Sequence, residues 1–349
     1  MNSRAQPVKD PRSVAGDDAL LLLSGADLRK ALQPDKVLSA LEESYRQLAF
    51  NADDKGRSLG FALADGSLHV KAGLLPGTRQ AFAAKVNVNL PGNPQRHGLP
   101  TIQGLVILVD TTRGRALALL ESVTLTALRT AGTAALAARY GARPDARCLA
   151  IVGCGAQAPY QLAAFRALFP LRELRFHDRD RSHAEALARQ SAAPGLACVV
   201  SPNIAAAVDG ADICVTCTTS KSPILTDAMP LRGAFVAAVG ADNPEKQEID
   251  PRLMARARIL VDDLEGCAAG GDLAHALKAG TVGPEAVHAE LSALVAGTKS
   301  GRQSAEELVI FDSTGSGVQD VAASWAAYTA AKAQGIGLRF DLAGSGRVD

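Results

Sequence analysis

The chain has 349 residues, too many for one ordinary core and suited to two domains of roughly 150 residues each. Its 37 Lys and Arg stand against 36 Asp and Glu, so a formal charge of +1 gives no electrostatic reason to expect nucleic acid or an anionic membrane as partner. No stretch approaches the ~20 apolar residues of a membrane span, and residues 1–18 are polar without an apolar leader, which reads as a cytoplasmic start.

After this start, Ser24 can cap a short helical turn. Pro34 can open a longer helix in which Val37, Leu38, Leu41, Tyr45 and Leu48 share one face. From 58 to 120 the pattern changes to short β-runs at 59–63, 68–72, 82–88, 104–109 and 116–120. Asp65-Gly66, Pro91-Gly92-Asn93-Pro94 and Arg113-Gly114 punctuate them as turns between antiparallel strands. The Ala-rich run 123–140 is helical, and a domain boundary lies near Arg143-Pro144-Asp145. From 148 to 261 apolar strands alternate with helical stretches (149–152, 174–177, 198–200, 213–216, 235–239, 259–261), the pattern of a parallel, doubly wound α/β sheet. Another Ala-rich helix spans 318–333.

Six cysteines (Cys148, Cys154, Cys198, Cys214, Cys217 and Cys267) are scattered, mostly in apolar runs, as reduced core thiols are. Cys214 and Cys217 have the spacing of a metal or redox pair. They follow a strand pattern, however, with no second pair or histidine cluster, so packing is expected and no metal.

The run Leu149-Ala150-Ile151-Val152-Gly153-Cys154-Gly155-Ala156-Gln157-Ala158 is a strand, a glycine turn and a helix start, with Ala158 in the third place of the dinucleotide fingerprint. Gly153 would allow the tight turn. Gly155 would admit a pyrophosphate, whose charge the free N–H groups of the helix start stabilise. A glycine triplet alone is a weak signal, but Asp178 closes the next strand, where a carboxylate can accept both ribose hydroxyls. Asp178 argues for NAD, whereas Arg179 and Arg181 beside it could accommodate the 2′-phosphate of NADP. The strand ends at Thr216-Cys217-Thr218 and Val239-Gly240-Ala241 should line the same crevice.

Three charged residues stand out elsewhere. Lys85 lies in an apolar β-run, where an unpaired ammonium is costly, and Arg129 lies in a helix of Leu, Thr and Ala. Either could instead snorkel or be locally paired. Asp242 follows an apolar strand and lands at the mouth of the crevice, or else simply forms a turn.

Several blocks together carry a resemblance. They are Lys85 with Asn89-Leu90-Pro91-Gly92-Asn93, Gly98-Leu99-Pro100-Thr101, and Leu125-Thr126-Ala127-Leu128-Arg129-Thr130-Ala131. The glycine turn, Gly240-Ala241-Asp242 with Lys246 and Glu248, and Ser313-Thr314-Gly315 with Gln319-Asp320 complete them. From Arg57 onward the chain resembles the ornithine cyclodeaminase/μ-crystallin family. That resemblance implies a Rossmann domain, residues 144–317, inserted into a discontinuous α+β domain, 1–143 plus 318–349, which binds substrate and forms a homodimer through its sheet. It implies chemistry at an amino-acid α-carbon through an imine. Arg57, Lys85 and Arg129 would bind the substrate carboxylate, Asp242 would be the acid/base, with Lys85 as an alternative source of the proton, and Ser313 would meet the cofactor. Where many relatives have Met-Pro-Ala, this chain has Leu68-His69-Val70-Lys71-Ala72-Gly73. His69 and Lys71 alternate with apolar neighbours and face either the substrate, as a further binding lysine, or solvent. The stretch 270–275 is a further loop candidate.

Three reactions fit such a site: reduction of an imine or ketimine to a small amino acid, oxidative deamination of an amino acid, and cyclodeamination of a diamino acid with internally recycled NAD. A nucleotide-linked small-molecule binder without turnover is the alternative of another class.

Overall fold

The computed structural model describes residues 19–51, 55–342 and 346–347. Two eight-stranded sheets organise them. The first is mixed: Arg57–Leu63, Gly66–Leu74, Ala81–Asn89, Ile102–Asp110 and Arg115–Glu121 form an antiparallel meander. Leu20–Leu23 adds parallel to Arg115–Glu121, followed by Leu338–Asp341 and Gly346–Arg347 at the edge. The second is parallel throughout, in the order Val287–Glu290, Arg258–Val261, Val309–Asp312, Phe235–Ala238, Ile213–Thr216, Cys148–Val152, Glu173–His177, Ala197–Val200. Its central strands Cys148–Val152, Ile213–Thr216 and Phe235–Ala238 are near-continuous apolar runs because helices cover both faces.

Ser24 and Asp27 form the reciprocal capping box of the helix Gly25–Ala31, and Pro34 begins Pro34–Leu48, whose Val37, Leu38, Leu41, Tyr45 and Leu48 are buried. The helix Ser122–Gly141 leads from the first sheet into the second and is buried on nearly every side. Its alanines and Gly132 let neighbours approach closely, and a Cβ on Gly132 would lie 2.7 Å from Val37. One apolar cluster therefore runs from Leu120 and Leu125 through Leu136 to Leu149 and Phe235.

The structure departs from the sequence reading in places. The stretch 91–94 expected as a turn leads into a short helix, Asn93–His97, with Pro94 in its first turn, where a missing N–H costs nothing. The stretch 270–275 is not an open loop: Gly270 ends one helix, and Gly271 starts Asp272–Lys278 against the Asp312 carboxylate, leaving no room for a Cβ. Among the described residues, no helix is long and apolar enough to cross a membrane.

Candidate active site

The nucleotide half of the site is built where the strands of the parallel sheet end. Gly153 has φ +93°, and a Cβ there would lie 2.7 Å from Thr218 Cγ2, so the tight turn needs glycine. A Cβ on Gly155 would meet nothing within 4 Å, which leaves open space over the helix Ala158–Leu168. Gln157 Oε1 is buried there with no hydrogen-bond partner. Asp178 follows Glu173–His177, and its carboxylate accepts the N–H of Cys154 at 2.7 Å and of Asp180 at 2.8 Å. It thus ties the glycine turn to the strand end where a ribose would lie. Arg179 is exposed beside it. An open cradle, an orphaned amide oxygen and a carboxylate at the second strand end together fit a dinucleotide.

Thr216, Thr218 and Gly240 converge on one residue. The carboxylate of buried Glu248 accepts Thr216 Oγ1 (2.7 Å), Thr218 N and Oγ1 (both 2.7 Å) and Gly240 N (2.9 Å). These bonds pin two strand ends to each other, while burial pushes the Glu248 carboxyl above its ordinary range. Cys217 Sγ lies 3.0 Å from Gly153 O, and Cys214 is fully buried in the core, so each has a packing contact of its own. All six cysteines are free.

A cleft of about 620 Å³ lies between this half and the outer strands of the mixed sheet. Arg57, His69, Lys71, Asp242 and the segment 314–317 line it. Arg57 is exposed, and among the described residues its side chain bonds the neighbouring Gly56 carbonyl. Lys71 Nζ donates to the carbonyls of Thr314 and Gly315, both at 2.8 Å. Burial, then the charge of Arg129, lowers its pKa. His69 bonds Ser67 Oγ at 2.8 Å, and burial lowers its pKa although Asp242 opposes this. Asp242 is half exposed and accepts Lys246 Nζ at 2.7 Å. Burial would raise its carboxyl, but Lys246 and Lys71 hold it below the ordinary value as a carboxylate.

Lys85 and Arg129 stand beneath the cleft rather than on its wall. Lys85 is the cross-strand partner of Lys71, yet its ammonium lies against Asp320 at 2.8 and 2.9 Å and near Thr126 Oγ1 at 3.3 Å. Arg129 gives its Nε to the same carboxylate at 3.0 Å and Nη1 to Gln319 Oε1 at 2.6 Å. All three charged groups are buried. Burial would raise the Asp320 carboxyl, but the two cations outweigh it and keep it ionised. Burial pulls Lys85 down to about 7. Ser313, expected at the cofactor, is buried and donates its Oγ to Asp262 at 2.7 Å. The structure thus brings Arg57, Lys71 and Asp242 to one cleft, and the sequence reading had not singled out Asp262 or given Asp320 its role.

These features define a dinucleotide-binding protein with a cleft of mixed charge between its nucleotide half and a second sheet. A family model for the ornithine cyclodeaminase/mu-crystallin family matches residues 21–335. The alanine dehydrogenase of Archaeoglobus fulgidus is 34% identical over 318 residues, 91% of this chain and 97% of that protein. A solved archaeal alanine dehydrogenase dimer with bound NAD superposes with a TM-score of 0.87 at 32% identity, over 93% of this chain and 99% of its own. The Δ1-pyrroline-2-carboxylate reductase of Thermococcus litoralis, solved with NADH and L-proline, gives 0.85 at 27% identity, over 91% and 99%. The chain belongs to the ornithine cyclodeaminase/mu-crystallin family.

Proposed function

We propose that the chain is an NAD-dependent oxidoreductase acting at the carbon–nitrogen bond of a small α-amino acid or its imine. The observation that carries this is the convergence of Arg57, Lys71 and Asp242 on one cleft beside the nucleotide strand ends. Arg57 and Lys71, without a carboxylate partner among the described residues, suit the substrate carboxylate by guanidinium fork and by point charge. Asp242, held ionised, balances an iminium nitrogen and takes or returns its proton. When bound, the cofactor would accept a hydride from the α-carbon as NAD+ or supply one to it as NADH. Gly153, Gly155, Ala156, Gln157 and Asp178 would hold it, and Thr216, Thr218, Val239, Gly240 and Ser313 would border its nicotinamide end. Asp178 argues for NAD over NADP, because its charge opposes a 2′-phosphate.

The proposed division of labour follows the sheets. Residues 144–317 carry the nucleotide, and the rest of the described chain carries substrate and a dimer contact. Leu59, Phe61, Val86, Leu105 and Ile107 are exposed on one face of the mixed sheet, an apolar patch that a second copy would cover. The related archaeal dehydrogenase is a dimer. Leu105→Glu should give a monomer by light scattering, and an unchanged mass in both proteins would remove that contact. Six free thiols suit a reducing cytoplasm.

The test follows NADH absorbance while the protein is offered 2-oxo acids with ammonia or methylamine, cyclic imines and, in reverse, amino acids. Net NADH turnover is the expected result. Glu265 on the cleft wall suits the distal ammonium of a diamino acid and supports a second reading, cyclodeamination. Ammonia released from ornithine or lysine without net NADH change would establish it. NADH binding with no turnover on any compound would leave a binding protein.

A further inference from the structure

Among the described residues, the Lys71 ammonium is held by two main-chain carbonyls, which belong to a turn with no regular structure between the strand Val309–Asp312 and the helix Gly317–Gln334. What shapes the turn is the carboxylate of Asp262, which follows the strand Arg258–Val261 and is itself buried. Its Oδ2 accepts Ser313 Oγ (2.7 Å), Gly315 N (2.8 Å) and Gln319 Nε2 (2.8 Å). Its Oδ1 accepts Asp263 N (2.9 Å), Cys267 Sγ (3.2 Å) and Thr314 N (3.4 Å). Every one of these donors is neutral, so the carboxylate acts through geometry, as a template for successive N–H groups, rather than as a counter-ion. From below, Gly315 at φ +76° rests on Arg129, whose guanidinium occupies the space a Cβ would need.

We infer that Asp262 is a positioning residue: by fixing the 313–315 turn from the nucleotide side, it aims the remaining N–H of Lys71 into the cleft at the substrate carboxylate. The inference rests on the reading of Lys71 as a substrate-binding cation. It deepens that reading by naming the carboxylate that fixes the turn from which Lys71 is directed. The groups that face Lys71 are Arg129 and Lys85 beneath it, Asp320 on the last helix, Asp242 and Asp262 from the nucleotide half, and His69 two residues earlier on its own strand.

A double-mutant cycle on the full chain separates positioning from a purely structural role. Asp262→Asn keeps the size but turns an amide NH2 toward a set of donors in which the N–H groups of Asp263, Thr314, Gly315 and Gln319 cannot accept it. It should cut kcat/KM for the compound found in the NADH panel by about tenfold or more, mostly through KM, with the NADH Kd within about twofold. In a Lys71→Met background, the same change should cost almost nothing further, since its effect passes through Lys71. Equal fold-losses in both backgrounds, or wild-type kcat/KM in Asp262→Asn alone, would overturn the inference while leaving the reading of Lys71 intact. Wild-type kcat/KM in Lys71→Met alone would overturn both. Should Asp262→Asn fail to fold, Asp262→Glu keeps the charge on a longer arm, and the same cycle with it carries the same outcomes.

Discussion

Lys71 and Lys85 face each other across one rung of the same antiparallel ladder, yet one belongs to the wall of the cleft and the other to its foundation. Lys71 meets two carbonyls and keeps its charge for a ligand. Lys85, with Arg129, surrounds Asp320, where two cations share one buried anion. The difference teaches that a cation in an apolar run marks the site without saying which layer it occupies. The upper layer is arranged for recognition. The lower layer is paired because uncompensated charge cannot remain in a dry interior.

Removing the anion of the lower layer should have the largest effect. Asp320→Ala strands Lys85 and Arg129 and should cost about 3 to 5 kcal/mol of stability, read from urea unfolding. A loss below about 1 kcal/mol would mean that water already reaches this layer. In the upper layer, Lys71→Met should leave the unfolding midpoint nearly in place and lower kcat/KM by about 100-fold, because a misplaced carboxylate misaligns the α-carbon. If the stability fell and the kinetics stayed, the two layers would have been assigned the wrong way round. Smaller still, Asp178→Ala should weaken NADH by about 1 to 3 kcal/mol in a fluorescence titration, through lost ribose bonds and a loosened Cys154 amide. Unchanged affinity would take Asp178 out of the site.

Much of this arrangement was legible in the sequence, and the part that was not has a physical reason. The glycine turn and Asp178 are local signals, a few residues that must act together within one βαβ unit, and they fall at the ends of adjacent strands. Lys85 and Arg129 were conspicuous because charge interrupts an apolar pattern. Their partner Asp320 was not, since it lies 235 residues beyond Lys85 in the Ala-rich last helix and only the closed chain brings the two together. Asp262 ends a strand as many turn-forming aspartates do, and its partners on the 313–319 segment lie 51 to 57 residues away. The strand Leu20–Leu23 escaped notice as well, because four leucines in a row carry no alternation. The insertion of Val309–Asp312 between Phe235–Ala238 and Arg258–Val261 is a matter of topology that no residue pattern encodes.

The last test probes the lower layer itself, by asking which of its two cations carries the charge. Lys85 shares its one buried anion with a second cation, and burial draws it from 10.5 to about 7. Between those values the unfolded chain binds a proton on Lys85 that the folded chain does not. The penalty for burying the ammonium is therefore complete below about pH 7 and is relieved as pH rises toward 10.5. Stability should climb over that window, by at most about 1.4 kcal/mol per pH unit for one proton. Lys85→Met has no such proton. Its unfolding free energy should therefore lack this part of the slope when both proteins are followed by urea denaturation from pH 7 to 9.5. Asp320 titrates on the acid side and contributes nothing to the difference there, and Lys71 is present in both proteins. Equal slopes would mean that Asp320 holds both cations fully charged, making Lys85 a fixed counter-ion rather than a group able to exchange a proton with the layer above it.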